Sequence, residues 1–129
     1  MKVILDTNFL LSHYEYGIDI YTGLLKLSSG PLELLLPFCV LNELSRLSVK
    51  KGRKGAAARF ALGALWKIRQ TFTFRLLLSE GKTDEWIIKY CSKNKDIFVA
   101  SNDAKLIKKL KALQIVVLGI KGKSKVDFV

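Results

Sequence analysis

Apolar positions along the chain fall alternately into short strand-like runs and helical stripes. Lys2 to Leu5 is a β-branched, apolar run that stops at Asp6-Thr7-Asn8, and from Phe9 onward apolar residues recur at helical spacing, predicting strand, turn and helix. Ile18 to Leu27 places Ile20, Leu24, Leu25 and Leu27 on one face and predicts a second helix, closed by the loop Ser28-Ser29-Gly30-Pro31. Leu34 to Phe38 reads as a fully buried strand, followed by a helix that carries Val40, Leu41, Leu44 and Leu47. Lys50 to Gly55 is a basic, glycine-containing linker, and the alanine-rich Ala56 to Ile68 predicts a further helix with Leu62, Leu65 and Trp66 on its stripe.

The second half repeats this rhythm. Phe72, Phe74 and Leu76 alternate with polar residues, as expected of a short strand at a sheet edge. Thr83-Asp84-Glu85 has the character of a helix N-cap followed by first-turn acids, and predicts a helix from about Thr83 to Ser92 with Trp86, Ile87, Tyr90 and Cys91 as its apolar face. Ile97 to Ala100 is a buried strand ending in Ser101-Asn102-Asp103, which opens an amphipathic helix through Leu106, Ile107 and Leu110; Ile115 to Leu118 is the last predicted strand. Strands alternating with helices, without internal repeat, predict a single α/β domain over residues 1–129: a three-layer α/β/α sandwich around a central parallel sheet.

Composition sharpens the picture in two respects. Half of the 129 residues are hydrophobic, enough for a packed core, and the longest apolar run, Leu34 to Leu41, is interrupted by Pro37 and far too short to span a membrane. Cys39 and Cys91 form no Cys-x-x-Cys pair, which fits two buried thiols in a reducing cytoplasm. The charge is more telling: 22 Lys or Arg oppose 11 Asp or Glu, a formal net charge of +11. No acid lies between Glu43 and Glu80, a stretch that contains Arg46, Lys50, Lys51, Arg53, Lys54, Arg59, Lys67, Arg69 and Arg75. A second basic block runs from Lys105 to Lys125. So strongly self-repelling a chain expects a polyanionic partner, nucleic acid or an anionic surface.

Against this excess of lysine the few acids are placed distinctively. Ligands of open α/β sheets bind beyond the carboxyl ends of the strands, and Asp6, Asp103, Asp84 and Glu43 fall at such strand ends or in the helix that follows. Each taken singly is an ordinary turn, cap or surface residue. Together they form a hard-oxygen set without His or Cys that suits Mg²⁺ or Mn²⁺, and such ions activate water and offset charge in phosphodiester cleavage. Acids around a metal with basic flanks make a nuclease. Competing chemistries are poorly supported: His13 is the only histidine and has no nucleophile at recognisable spacing. Gly119-Ile120-Lys121-Gly122-Lys123-Ser124 has no following helix to serve as a phosphate loop, so the chain from about residue 119 is expected to be a flexible basic tail. Trp66, Trp86, Phe72 and Phe74 are expected in the core.

Four segments in order carry a family resemblance. Val3-Ile4-Leu5-Asp6-Thr7-Asn8-Phe9-Leu10-Leu11, Val40-Leu41-Asn42-Glu43-Leu44, Thr83-Asp84-Glu85-Trp86-Ile87 and Val99-Ala100-Ser101-Asn102-Asp103 resemble the successive motifs of PIN-domain ribonucleases. The resemblance implies single-stranded RNA cut by metal-activated water, with Asp6, Asp84 and Asp103 holding Mg²⁺ or Mn²⁺, Glu43 binding metal or orienting water, and Asn8 and Ser101 in support. The third motif departs from the family: many relatives have two aspartates and a small residue where this chain has Asp84-Glu85-Trp86, leaving Glu85 as an adjoining, supporting acid. The segments Gly17 to Ile20 and Lys51 to Lys54 are similar to stand-alone archaeal PIN proteins related to ribosomal-RNA processing factors more than to the toxin branch. Precursor ribosomal RNA is then the candidate substrate, with Arg46, Lys50, Lys51, Arg53, Lys54 and Lys105 as its contacts. A non-catalytic RNA-binding or ribosome-assembly module and the toxin of a toxin–antitoxin pair are the other readings, and the apolar face within Ile18 to Leu27 is a candidate homodimer surface.

Overall fold

The computed structural model describes residues 1–129. In chain order the elements are β1 (Lys2–Leu5), α1 (Thr7–Glu15), α2 (Ile20–Leu27), β2 (Glu33–Pro37), α3 (Phe38–Ser48) and α4 (Gly52–Ile68). They continue with β3 (Thr73–Leu77), α5 (Thr83–Lys93), β4 (Ile97–Ala100), α6 (Ala104–Ala112), β5 (Val117–Lys121) and β6 (Lys125–Phe128). The strands form one sheet in the order β3-β2-β1-β4-β5-β6, parallel except for β6, which runs antiparallel to β5. The sheet is therefore mixed at one edge, while the α/β/α layering and the edge position of β3 agree with the sequence pattern.

Because side chains alternate across a strand, each buried strand supplies both layers. Val3, Leu5, Leu34, Leu36, Ala100 and Leu118 pack with residues of α1 to α4 on one face. Their neighbours Ile4, Leu35, Val99 and Val117 pack with Ile87 and Cys91 of α5 and Leu106 and Leu110 of α6 on the other. Burial pushes the Cys91 thiol up to about 11, so it behaves as a small hydrophobe.

Three expectations need correction. Residues 50–55 are mostly not linker: α4 starts at Gly52, and the turn leading into it folds back so closely that a Cβ on Gly55 would lie 1.9 Å from the Lys50 carbonyl oxygen. Arg59 reinforces this corner by donating to the Ser48 carbonyl at 2.7 Å. Nor is the chain from 119 a flexible tail. β5 and β6 form a hairpin around Gly122 and Lys123, both with positive φ, and Val126 buries its side chain where α2 presents Gly23, a site at which a Cβ would meet Val126 at 2.6 Å. In the same layer Ile20, Tyr21 and Leu24 are buried in the chain's own core, while Leu25 of that helix stays exposed. Trp66 is not core either; it is 65% exposed, with the Arg69 guanidinium 3.7 Å from its ring centre. Phe72 and Phe74 pack partly against the core. No helix is long and apolar enough to cross a membrane.

Candidate active site

β1 and β4 are neighbours whose chains leave in opposite directions, β1 into α1 on one face and β4 towards α6 on the other. This is the switch point at which an open α/β sheet forms a crevice. The register pairs Leu5 with Ala100, so the next residues, Asp6 and Ser101, stand side by side. The Asp6 amide donates to the Ala100 carbonyl at 3.0 Å, and the Ser101 hydroxyl donates to Asp6 Oδ2 at 2.8 Å while accepting from the Asp103 amide at 3.1 Å. Ser101 is fully buried and thus ties the first acid to the loop that carries the last.

That loop is held from β5. The Ser101 amide donates to the Leu118 carbonyl at 2.9 Å, and Asn102 Oδ1 accepts from the Ile120 amide at 3.0 Å. Gly119 makes the approach feasible, since a Cβ there would stand 2.8 Å from the Ser101 carbonyl oxygen.

The four acids differ in what engages them. Asp6 occupies the N-cap position of α1 yet makes no capping bond with its side chain. Burial pushes its carboxyl up to about 6 from the ordinary 3.8; nearby Glu43 and Asp103 add to the rise, and the hydrogen bonds from Ser101 and the Thr7 backbone oppose it. Asp103 does cap its helix, accepting from the Lys105 and Leu106 amides at 2.9 and 3.3 Å. Glu43, one and a half turns into α3, accepts from the Thr83 hydroxyl through Oε1, and Asp84 accepts from the Glu85 amide at 3.0 Å. Thr83 was expected as an N-cap; Lys82 holds that position, and Thr83, the first residue of α5, turns its hydroxyl to Glu43 instead.

All four acids, with Asn8, line one open cleft of about 810 Å³, and Arg46 and Lys82 supply cations to its rim. They share the cleft without meeting at a point: no three His, Cys, Asp or Glu side chains stand close enough together to hold one ion. Glu85 is not in the cleft. It is the residue after Asp84 on a helix, where successive side chains diverge by about 100°, and it faces a neighbouring groove.

Of the expected RNA contacts, Arg46 reaches the cleft. Lys50, Lys51, Arg53 and Lys54 are exposed around the turn between α3 and α4, where Arg53 donates to the Glu15 carbonyl at the end of α1, and Lys105 is exposed in the first turn of α6. The sequence pattern did not single out Lys82, Thr83 as partner of Glu43, or Ser79, whose hydroxyl accepts from the Cys39 amide at 2.8 Å and ties the loop before α5 to α3. His13 lies outside the cleft, against the rings of Tyr21 and Phe60. Lys125–Asp127, at 3.5 Å, is the one ion pair in the molecule, so the cations are free of acidic partners almost throughout.

Comparison with known proteins bears on the fold. Residues 3–123 match a family model described as a PIN-like domain. Ribonuclease VapC4 of Methanocaldococcus jannaschii is 28% identical over 123 residues, 95% of this chain and 92% of that protein. Among solved structures, the PIN domain endonuclease Utp24 superposes with a TM-score of 0.75 at 25% identity, over 98% of this chain and 90% of that one. A domain of a functionally unknown protein from Methanocaldococcus jannaschii shares the fold, with a TM-score of 0.68 at 15% identity over 94% and 91% of the two chains.

Proposed function

The chain belongs to the PIN-like domain family, and from that premise we propose that it is a metal-dependent endoribonuclease that cuts single-stranded RNA in the acidic cleft. The observation that carries this reading is Asp6: a buried carboxylate at the sheet's switch point, with Glu43 and Asp103 as charged neighbours and two cations on the rim. Ribonuclease and endonuclease relatives with the same fold support it.

A hard divalent cation fits the donors present. The acids offer only oxygen, no histidine faces the cleft, and a cation offsets both the burial that raises the Asp6 pKa and the lesser repulsion from Glu43 and Asp103. Asp6, Asp84 and Asp103 would hold Mg²⁺ or Mn²⁺, with Glu43 as a further ligand or an acceptor for water. Such an ion, when bound, lowers the pKa of water and offsets charge developing on the phosphate. Ser101 orients Asp6, Thr83 orients Glu43, and Arg46 and Lys82 bind phosphate oxygens at the cleft mouth. Precursor ribosomal RNA is the substrate class we favour, on the resemblance of residues 17–20 and 51–54 to archaeal processing-type PIN proteins.

Incubation of a labelled single-stranded RNA with Mn²⁺ tests the reading. Wild-type protein should release fragments, and Asp6→Asn and Asp103→Asn should lose at least a hundredfold in rate. Equal cutting by all three, or none by wild type, overturns it.

A further inference from the structure

A second groove, of about 720 Å³, continues from the acidic cleft, and the two share the loop Ser79 to Lys82. Its floor is one face of α5. Trp86 and Tyr90, one helical turn apart, stack with ring centres 4.9 Å apart and planes within 18° of parallel. Both rings are half-buried: their inner edges pack on the core beneath α5, and they also line the groove. Lys82, Lys89 and Lys93 stand around them, and none is within ion-pair distance of an acid, although Glu80 and Glu85 also line the groove and Glu85 lies one turn before Lys89. From Asp84 to Lys93 the helix advances about 14 Å, so the groove leads from the candidate active site to the far end of α5.

A preformed aromatic stack flanked by unpaired lysines is the combination that holds single-stranded nucleic acid without base specificity: rings take the faces of bases and ammonium groups take phosphates. We propose that this groove is a single-strand track, in which bases of the RNA on one side of the cut stack on Trp86 and Tyr90 while Lys82, Lys89 and Lys93 hold its backbone. It rests on the ribonuclease reading of the cleft. The occupant is single-stranded because stacking needs exposed base faces, which a duplex keeps paired and covered.

Trp66 and Trp86 are the only tryptophans, so Trp66→Phe makes Trp86 the sole indole reporter, and EDTA stops metal-dependent cutting during titration. Short single-stranded oligouridylate should quench Trp86 emission, and the same strand annealed to its complement should not. Trp86→Leu, and separately the surface pair Lys89→Ser/Lys93→Ser, should each weaken binding of the single strand about tenfold. The lysine pair lies on the exposed face, and its removal should leave a folded protein with a cooperative thermal transition. Unchanged Trp86 emission at saturating RNA, equal quenching by duplex, or unaltered affinity in the lysine variant overturns the track. These failures are separable from failure of the cleft reading, which would appear as no cutting by wild-type protein with Mn²⁺.

Discussion

Asp6 is 6% exposed with its carboxyl pushed up to about 6, so the folded protein holds that proton over a pH range in which the unfolded chain has released it. A raised folded pKa makes the folded state the better proton binder between about pH 4 and 6. Stability therefore falls as pH rises through that window and stays lowered at neutral pH, by about 3 kcal/mol as an upper figure. Asp6→Asn removes the buried charge and keeps an acceptor for Ser101. In EDTA it should be more stable than wild type at pH 7.5, with the gap closing near pH 4; denaturant titrations at both pH values check this. Added Mn²⁺ should raise the wild-type midpoint and leave the Asn variant little changed. Ser101→Ala acts oppositely: it removes the hydrogen bond that lowers the Asp6 pKa, at a cost of about 1–3 kcal/mol, and the pH profile of cutting should move to higher pH. Gly119→Ala should also impair cutting, because its Cβ collides with the Ser101 carbonyl and displaces the loop that carries Asp103.

Among the elements, those whose period is uninterrupted were legible from sequence, and those whose existence depends on a partner were not. β1, β2 and β4 are short apolar runs, and each lies within one residue of where its pattern puts it. β6 has one buried side chain, Val126, among lysines and an acid; only Gly23 on α2, about a hundred residues away, makes room for it. The start of α4 was hidden because Gly52-Arg53-Lys54-Gly55 is a poor helix former, and it is held there by packing on α3. In the candidate site the acids were legible because strand ends are legible. Thr83 to Glu43 and Ser79 to Cys39 join segments 40 residues apart, and no local pattern encodes them. Two substitutions test these elements. Gly55→Ala must displace backbone at the α3–α4 corner and should cost several kcal/mol, more than the fraction gained from helix propensity. Val126→Asp places a charge against α2 and should lower the thermal midpoint and the cutting rate together, since β5, which holds residues 101–103, loses its edge partner.

Over the whole molecule, a net charge of +11 with one ion pair gives salt two opposite effects. Cations that lack acidic partners repel one another across the surface, and the Debye length shrinks from about 30 Å at 0.01 M to about 10 Å at 0.1 M. Adding NaCl in that range should therefore raise the thermal midpoint, as screening removes a strain that compact folding imposes on like charges. RNA binding should respond in the reverse sense, because each phosphate neutralised releases counterions, with a slope of about −0.7 per contact for single strands. If Arg46 and Lys82 at the cleft and Lys89 and Lys93 along α5 each engage one phosphate, log affinity should fall against log salt with a slope near −3. Lys89→Ser/Lys93→Ser should reduce that slope by about half while leaving the salt dependence of the thermal midpoint similar in sign. Affinity that is flat with salt would show that these cations stabilise no RNA, and a thermal midpoint that falls as salt is added would show that their repulsion is not what limits the fold.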